Sequence, residues 1–117
     1  MNKAAITGIG GYVPDHILSN TDLEKMVDTT DDWIIFRTGI KERRILKDSE
    51  KATSYLAIQA ANNLINKKNL NPESIDGVIV ATITTDLPAV ATAAYVAYKI
   101  GAKNAFAYDL QAACSGF

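Results

Sequence analysis

Gly77-Val78-Ile79-Val80-Ala81-Thr82 is the stretch whose reading decides the fold. It is a continuous β-branched run without polar alternation, the pattern of a strand covered on both faces, and so of a sheet packed between helices. Its flanks agree. Upstream, Thr53 opens a helix predicted to run to about Lys68. Ala57, Ala60, Ala61, Leu64 and Ile65 fall on one face, while Asn62, Asn63, Lys67 and Lys68 are mostly off it. Asn71-Pro72 ends it. Downstream, residues 89–100 read as a small-residue helix ending at Gly101, and its alanines permit close packing on a sheet or another helix. Residues 105–110 read as the next strand, and residues 111–117 as the start of a turn and helix.

The remainder of the chain is read outward from this core. Residues 4–13 are predicted as a first strand, with Gly8, Gly10 and Gly11 where backbones approach closely. Pro14-Asp15-His16 is a turn. Asn20 or Thr21 is expected to cap a short helix over residues 22–27, with Asp22 and Glu24 in its first turn favouring the dipole. Thr30 is expected to cap a second, passing through Trp33, Ile34 and Phe36 to Gly39. Residues 41–46 are read as a short strand. Strands alternating with helical crossovers imply an α/β fold with a mainly parallel core sheet. No repeat or low-complexity linker divides residues 1–117.

Bulk properties exclude several classes. The chain has 117 residues, 48% hydrophobic and 21% charged, an ordinary globular balance. A net charge of −1 argues against nucleic acid or an anionic membrane as partner. A lone cysteine forms no internal disulfide and fits a reduced, cytoplasmic setting. Lys3 precedes the first apolar run, yet that run holds three glycines, ends at Pro14 and is followed by no small-x-small cleavage site, so it reads as a buried strand, with a secretion signal the minor alternative. No apolar stretch approaches the ~20 residues of a membrane span.

Cys114 lies among Ala112, Ala113, Ser115 and Gly116, just past a predicted strand. A thiolate is the reactive form, and a helix N-terminus favours it by placing partial positive charge beside sulfur. The same N–H groups could hold the oxyanion of an attacked thioester or ester. The commoner fate of a cysteine is burial as a small hydrophobe. Ser115 is the weaker nucleophile, having no G-x-S-x-G setting.

Trp33 and Arg37 are four apart and share a helix face, where an indole and a guanidinium can hold a flat base and its phosphates. A core tryptophan beside a solvated arginine has the same spacing. Lys41, Arg43 and Arg44, interrupted by Glu42, suit a strand edge or a phosphate rim. In Gly8-Ile9-Gly10-Gly11 the third glycine of a dinucleotide fingerprint would fall on Val13, and no helix follows, so that reading is rejected. A single histidine, His16, makes a metal site unexpected, and none is assigned.

Together these residues resemble the N-terminal part of the β-ketoacyl-acyl carrier protein synthase III family. The carriers are Gly8-Ile9-Gly10-Gly11-Tyr12-Val13-Pro14, Met26-Val27-Asp28-Thr29-Thr30-Asp31-Asp32-Trp33-Ile34, Arg37-Thr38-Gly39-Ile40-Lys41-Glu42-Arg43 and Asp109-Leu110-Gln111-Ala112-Ala113-Cys114-Ser115-Gly116-Phe117. The resemblance implies a thiolase-like fold, of which residues 1–117 would be an incomplete part of the first half, with a mainly parallel mixed sheet and packed helices. It implies a cytoplasmic homodimer that initiates type II fatty-acid synthesis. Cys114 would take the acyl group of an acyl-coenzyme A primer, and malonyl-acyl carrier protein would lose carbon dioxide and attack that group. Both are substrates, and no resident cofactor is implied. Thr29, Trp33 and Arg37 match positions at the coenzyme A site, Trp33 stacking on the adenine.

Two departures from the family pattern are expected to matter. The family's histidine, asparagine and glycine-rich oxyanion segment lie downstream of Phe117, so residues 1–117 alone are expected not to condense. Leu87-Pro88-Ala89 stands where an aromatic often lines the acyl pocket across a dimer, with Ala89 at the aromatic position, so primers longer than acetyl are expected to fit. The competing readings are a related thiolase-fold acyltransferase or condensing enzyme of secondary metabolism, and a non-catalytic dimerisation or binding module completed by another chain.

Overall fold

The computed structural model describes residues 4–116, so Lys3 and Phe117 of the sequence reading lie outside the described residues. The chain forms two compact units. One is Val13–Ser49, and the other combines the chain up to Tyr12 with the chain from Glu50 onward.

In the smaller unit, β1 (Ile17–Ser19) pairs antiparallel with β2 (Glu42–Arg44), Leu18 opposite Arg43. Between them lie α1 (Asn20–Glu24) and α2 (Asp31–Thr38). β2 falls inside the predicted residues 41–46. β1 was not anticipated, because three residues are too few to show a period.

α1 is shifted towards the N-terminus of its predicted position, and its cap is Ser19 and not Asn20 or Thr21. Ser19 Oγ accepts from the Asp22 N–H at 3.2 Å, and the Asp22 carboxylate accepts from the Ser19 N–H at 3.2 Å, a capping box. Asn20 is buried instead. Its side-chain amide donates to Asp31 Oδ1 at 2.7 Å and to the Ile40 carbonyl at 2.8 Å, and its Oδ1 accepts from Arg43 Nη1 at 2.7 Å. α2 follows expectation. Thr30 Oγ1 accepts from the Trp33 N–H at 3.2 Å, and Gly39 closes the helix at φ 71°, where glycine pays no Cβ penalty.

The hydrogen bond from Ser19 Oγ, then that from the Ser19 N–H, then Lys25, hold the Asp22 carboxyl down at about 2 from its usual 3.8. The folded value is the lower one, so this contribution is complete above pH 3.8 and is lost as pH falls through about 2. Ser19→Ala is expected to cost about 1 kcal/mol at neutral pH, the usual magnitude for a lost N-cap. It should also flatten the stability profile between these two values, as read by urea unfolding across pH. An unchanged profile would remove the box from the account.

In the larger unit, α3 (Thr53–Lys68) leads through a 3₁₀ turn (Pro72–Ser74) to β3 (Gly77–Ala81). α4 (Thr92–Ile100) then crosses over to β4 (Phe106–Leu110), which pairs parallel to β3 with Ile79 opposite Tyr108. Val96, Ala97, Ile100 and Ala102 form the core, against Ala57, Ile58, Ala61 and Ile65 of α3 and Val78, Val80 and Ala107 of the strands. Burying Val96 and Ile100 is worth about 1.5–3 kcal/mol each.

The expectation that β3 is covered on both faces is corrected. Val78 and Val80 face the helices, while Ile79, Phe106, Tyr108 and Leu110 are on the opposite, exposed face. Both helices pack on one side of a two-stranded sheet, and a continuous apolar run does not reveal how many layers cover it. Phe106 lies over Gly77, where a Cβ would meet its ring.

Residues 4–13 are not a strand among the described residues, a second correction. The run finds no strand to pair with and is seated on α3 by its glycines. A Cβ on Gly10 would stand 2.7 Å from the Ala60 carbonyl oxygen and from the Leu64 nitrogen. The Gly11 N–H donates to Asn63 Oδ1 at 3.3 Å. The close approach read from these glycines is present, made to a helix and not to a sheet.

Neither α3 nor α4 carries its own side-chain cap. Asp86 accepts from the Ser54 N–H at 3.0 Å, at the start of α3. Asp109, from β4, accepts from the Thr92 and Ala93 N–H groups at 2.7 Å each, at the start of α4. Two aspartates remote from the helices they serve thus satisfy one free donor of α3 and two of α4.

Candidate functional site

Cys114 follows directly from the parallel pair. The Thr82 N–H donates to the Leu110 carbonyl at 3.1 Å, extending the ladder past the end of β3. The chain then turns sharply. Ala113 takes a left-handed φ of 45°, a strain on the order of 1 kcal/mol for a residue with a Cβ. Ala113–Gly116 form a 3₁₀ turn, and a Cβ on Gly116 would stand 3.2 Å from that of Ala81 at the end of β3.

Cys114 therefore sits at the carboxyl ends of parallel strands, where open α/β sheets bind ligands. Its thiol is exposed, so burial as a small core hydrophobe does not describe it. The helix expected over residues 111–117 is, among the described residues, only this 3₁₀ turn.

Ahead of α4, Leu87 and Val90 make an isolated antiparallel bridge that closes a tight turn through Pro88 and Ala89. Leu87 and Val90 line a cavity of about 390 Å³ with Tyr55, Ile58, Asp86 and Tyr95. Ala89 is exposed at the tip of the turn, off the cavity wall, and Cys114 is not on that wall either.

Thr29, Trp33 and Arg37 all belong to the smaller unit. Thr29 and Trp33 line a cavity of about 270 Å³ with Asp28 and Thr30. Arg37 Cζ stands 5.8 Å from the Trp33 ring centroid, the side-by-side arrangement expected of residues four apart on a helix. Trp33 is 57% exposed while its neighbour Ile34 is 7% exposed, so isoleucine and not tryptophan supplies the core. Of the basic cluster, Arg43 bonds Asn20, and Arg44 Nη1 donates to the Asp15 carbonyl at 3.1 Å. These two arginines tie β2 into its own unit and do not form a phosphate rim.

Asp86, Asp109 and Asn20 were not anticipated as organising residues. The signal for Asp109 was available: it is an aspartate in the apolar strand Phe106–Leu110, on the same face as the core residue Ala107. A charge on a core face implies a partner. Among the described residues no three His, Cys, Asp or Glu side chains are grouped to hold a metal ion, and no helix is long and apolar enough to cross a membrane.

Against this geometry, comparison with known proteins is specific. The chain is 55% identical over 115 residues to a β-ketoacyl-[acyl-carrier-protein] synthase III of Phocaeicola vulgatus, covering 98% of this chain and 34% of the relative. It is 59% identical over 115 residues to the protein of the same name from Chlorobium chlorochromatii, covering 98% and 35%.

The chain resembles β-ketoacyl-acyl carrier protein synthase III along nearly its whole length.

The crystal structure of the synthase III from Aquifex aeolicus VF5 superposes with a TM-score of 0.87 at 49% identity, covering 94% of this chain and 35% of that one. The described α/β architecture is thus part of a thiolase-like domain. No family model matches. The chain spans about a third of the length of the curated synthase III relatives it matches.

Proposed function

We propose that the complete protein carrying this chain is the initiating condensing enzyme of type II fatty-acid synthesis, acting in the cytoplasm as a homodimer. The Cys114 thiolate attacks the thioester carbonyl of an acyl-coenzyme A. The carbon–sulfur bond to coenzyme A breaks, its thiolate takes up a proton, and the acyl group stays on Cys114. Malonyl-acyl carrier protein then loses carbon dioxide. The carbanion attacks the acyl thioester, giving 3-oxoacyl-acyl carrier protein and freeing the thiolate. Both thioesters are substrates, and the scheme uses no resident cofactor. The observation that carries this reading is the exposed Cys114 on a strained turn at the carboxyl ends of two parallel strands.

Trp33 and Arg37 support the coenzyme A half of the scheme. The exposed indole face suits the adenine, the guanidinium suits a phosphate, and Thr29 can hydrogen-bond at the edge of the base. Trp33→Ala is expected to weaken coenzyme A binding by roughly 1–3 kcal/mol, measured calorimetrically, if the base stacks as proposed. Unchanged affinity would take Trp33 out of the site. Leu87 and Ala89 are assigned to the acyl pocket and dimer loop. With alanine at the tip of the turn, four- and five-carbon primers should compete with acetyl, and a strong preference for acetyl-coenzyme A would count against that assignment.

The direct test is to supply the complete protein with acyl-coenzyme A and malonyl-acyl carrier protein and to weigh the carrier. The expected mass change is the exchange of the malonyl carboxyl for the primer's acyl group, a 3-oxoacyl chain in place of malonyl. No such product, with a carrier that a known synthase III accepts, would overturn the reading.

A further inference from the structure

We infer that Asp109 is a positioning residue for the acylation of Cys114, acting by latching the Leu87 turn and the start of α4 onto the strand that carries the thiol; this rests on the function proposed above.

The observations form one connected network. The Asp109 carboxylate accepts from the Thr92 and Ala93 N–H groups, one on each oxygen, at 2.7 Å. Thr92 Oγ1 accepts in turn from the Asp86 N–H at 3.2 Å, and the Asp86 carboxylate from the Ser54 N–H at 3.0 Å. The Thr53 hydroxyl donates to the Thr84 carbonyl, pinning the other end of the same loop to α3. Thr92 is 2% exposed and Ala93 is fully buried, so little water competes for these bonds.

The consequence follows from where Asp109 stands in the chain. It precedes Leu110, the last residue of β4, beyond which come the left-handed Ala113 and Cys114. The segment it holds begins with Asp86 and Leu87, both on the wall of the 390 Å³ cavity. One carboxylate therefore sets the spacing between the strand end bearing the nucleophile and the turn assigned to the acyl group. An ordinary helix cap would come from the residue preceding its own helix. This one comes from the strand on which the chemistry is placed. Shifts of about 1 Å in such a spacing are enough to slow a positioned attack about a hundredfold.

The test uses the complete protein and Asp109→Asn, which keeps the shape but turns an NH₂ toward one of the two donors. Expected are an acylation rate lowered at least about tenfold and a KM for acyl-coenzyme A within about twofold of wild type, because Trp33 and Arg37 belong to the other unit. The ratio of acylation rates for acetyl and five-carbon primers should also change, which mere loss of folded protein would not produce. Amide exchange at Thr92 and Ala93 should quicken. Asp109→Glu, which keeps the charge but lengthens the side chain by one methylene and so shifts both bonds, should lower acylation in the same sense and decides the matter if Asp109→Asn does not fold. Wild-type acylation with no change of rate or primer ratio in a folded variant overturns this role alone. A wild type that forms no acyl-enzyme overturns the proposed function, and this role with it.

Discussion

Cys114→Ala in the complete protein is expected to abolish the acyl-enzyme, seen as loss of the acyl mass adduct after incubation with acyl-coenzyme A. The effect should be total, because the scheme has no second nucleophile. Ser115 occupies the same exposed turn, but nothing in its sequence setting activates a hydroxyl, which at neutral pH is a far weaker nucleophile than a thiol. Binding should be spared. Trp33 and Arg37 lie in the other unit, so the affinity for coenzyme A should stay within about twofold of wild type, the signature of a residue used in chemistry and not in ground-state binding. A Cys114→Ala protein that still carries an acyl group would place the nucleophile elsewhere.

The second large effect is structural. Asn20→Ala should destabilise the Val13–Ser49 unit by about 3 kcal/mol, measured by denaturant unfolding. Asn20 is 1% exposed and uses both amide hydrogens and its carbonyl, bonding Asp31, Ile40 and Arg43. Truncation strands an aspartate at the first residue of α2 and an arginine on β2, and a charged partner left unmatched costs more than a neutral one. Asn20→Asp should not rescue it, because a carboxylate cannot donate to Asp31. A loss below about 1 kcal/mol would mean that water replaces the three bonds.

This contrast shows what the sequence made legible. α3 was placed closely at both ends, because its alanine and leucine stripe, Ala57 to Ile65, holds one face over more than two turns and Asn71-Pro72 ends it. β3 and β4 were placed nearly as well. α2 was found from its two ends, Thr30 and Gly39. What failed depended on partners distant in the chain. Residues 4–13 look like a strand to any local reading, and only the contact of Gly10 with the backbone of Ala60 and Leu64 shows otherwise. Asn20 read as a cap because asparagine before a helix usually is one. The capping box one residue earlier, Ser19 with Asp22, carries its own sequence signature, a serine followed three residues later by a carboxylate.

The candidate site divides in the same way. The pairing of Trp33 with Arg37 was legible because a single helix sets it. The place of Cys114 past a strand was legible too, but its left-handed neighbour Ala113 was not, since alanine gives no hint of a positive φ. That Asp109 needs a partner was legible from its place on a core face, but which donors it satisfies was not, because they begin a helix on the other side of a crossover.

The measurement closest to the central claim is acyl mapping. The complete protein is mixed with an acyl-coenzyme A, quenched in acid, digested and sequenced by mass spectrometry. The account predicts one acyl group per chain, on the peptide containing Cys114, labile to hydroxylamine and formed with release of one coenzyme A. An acyl group on any other residue, or product formation with Cys114 unmodified throughout turnover, would contradict it.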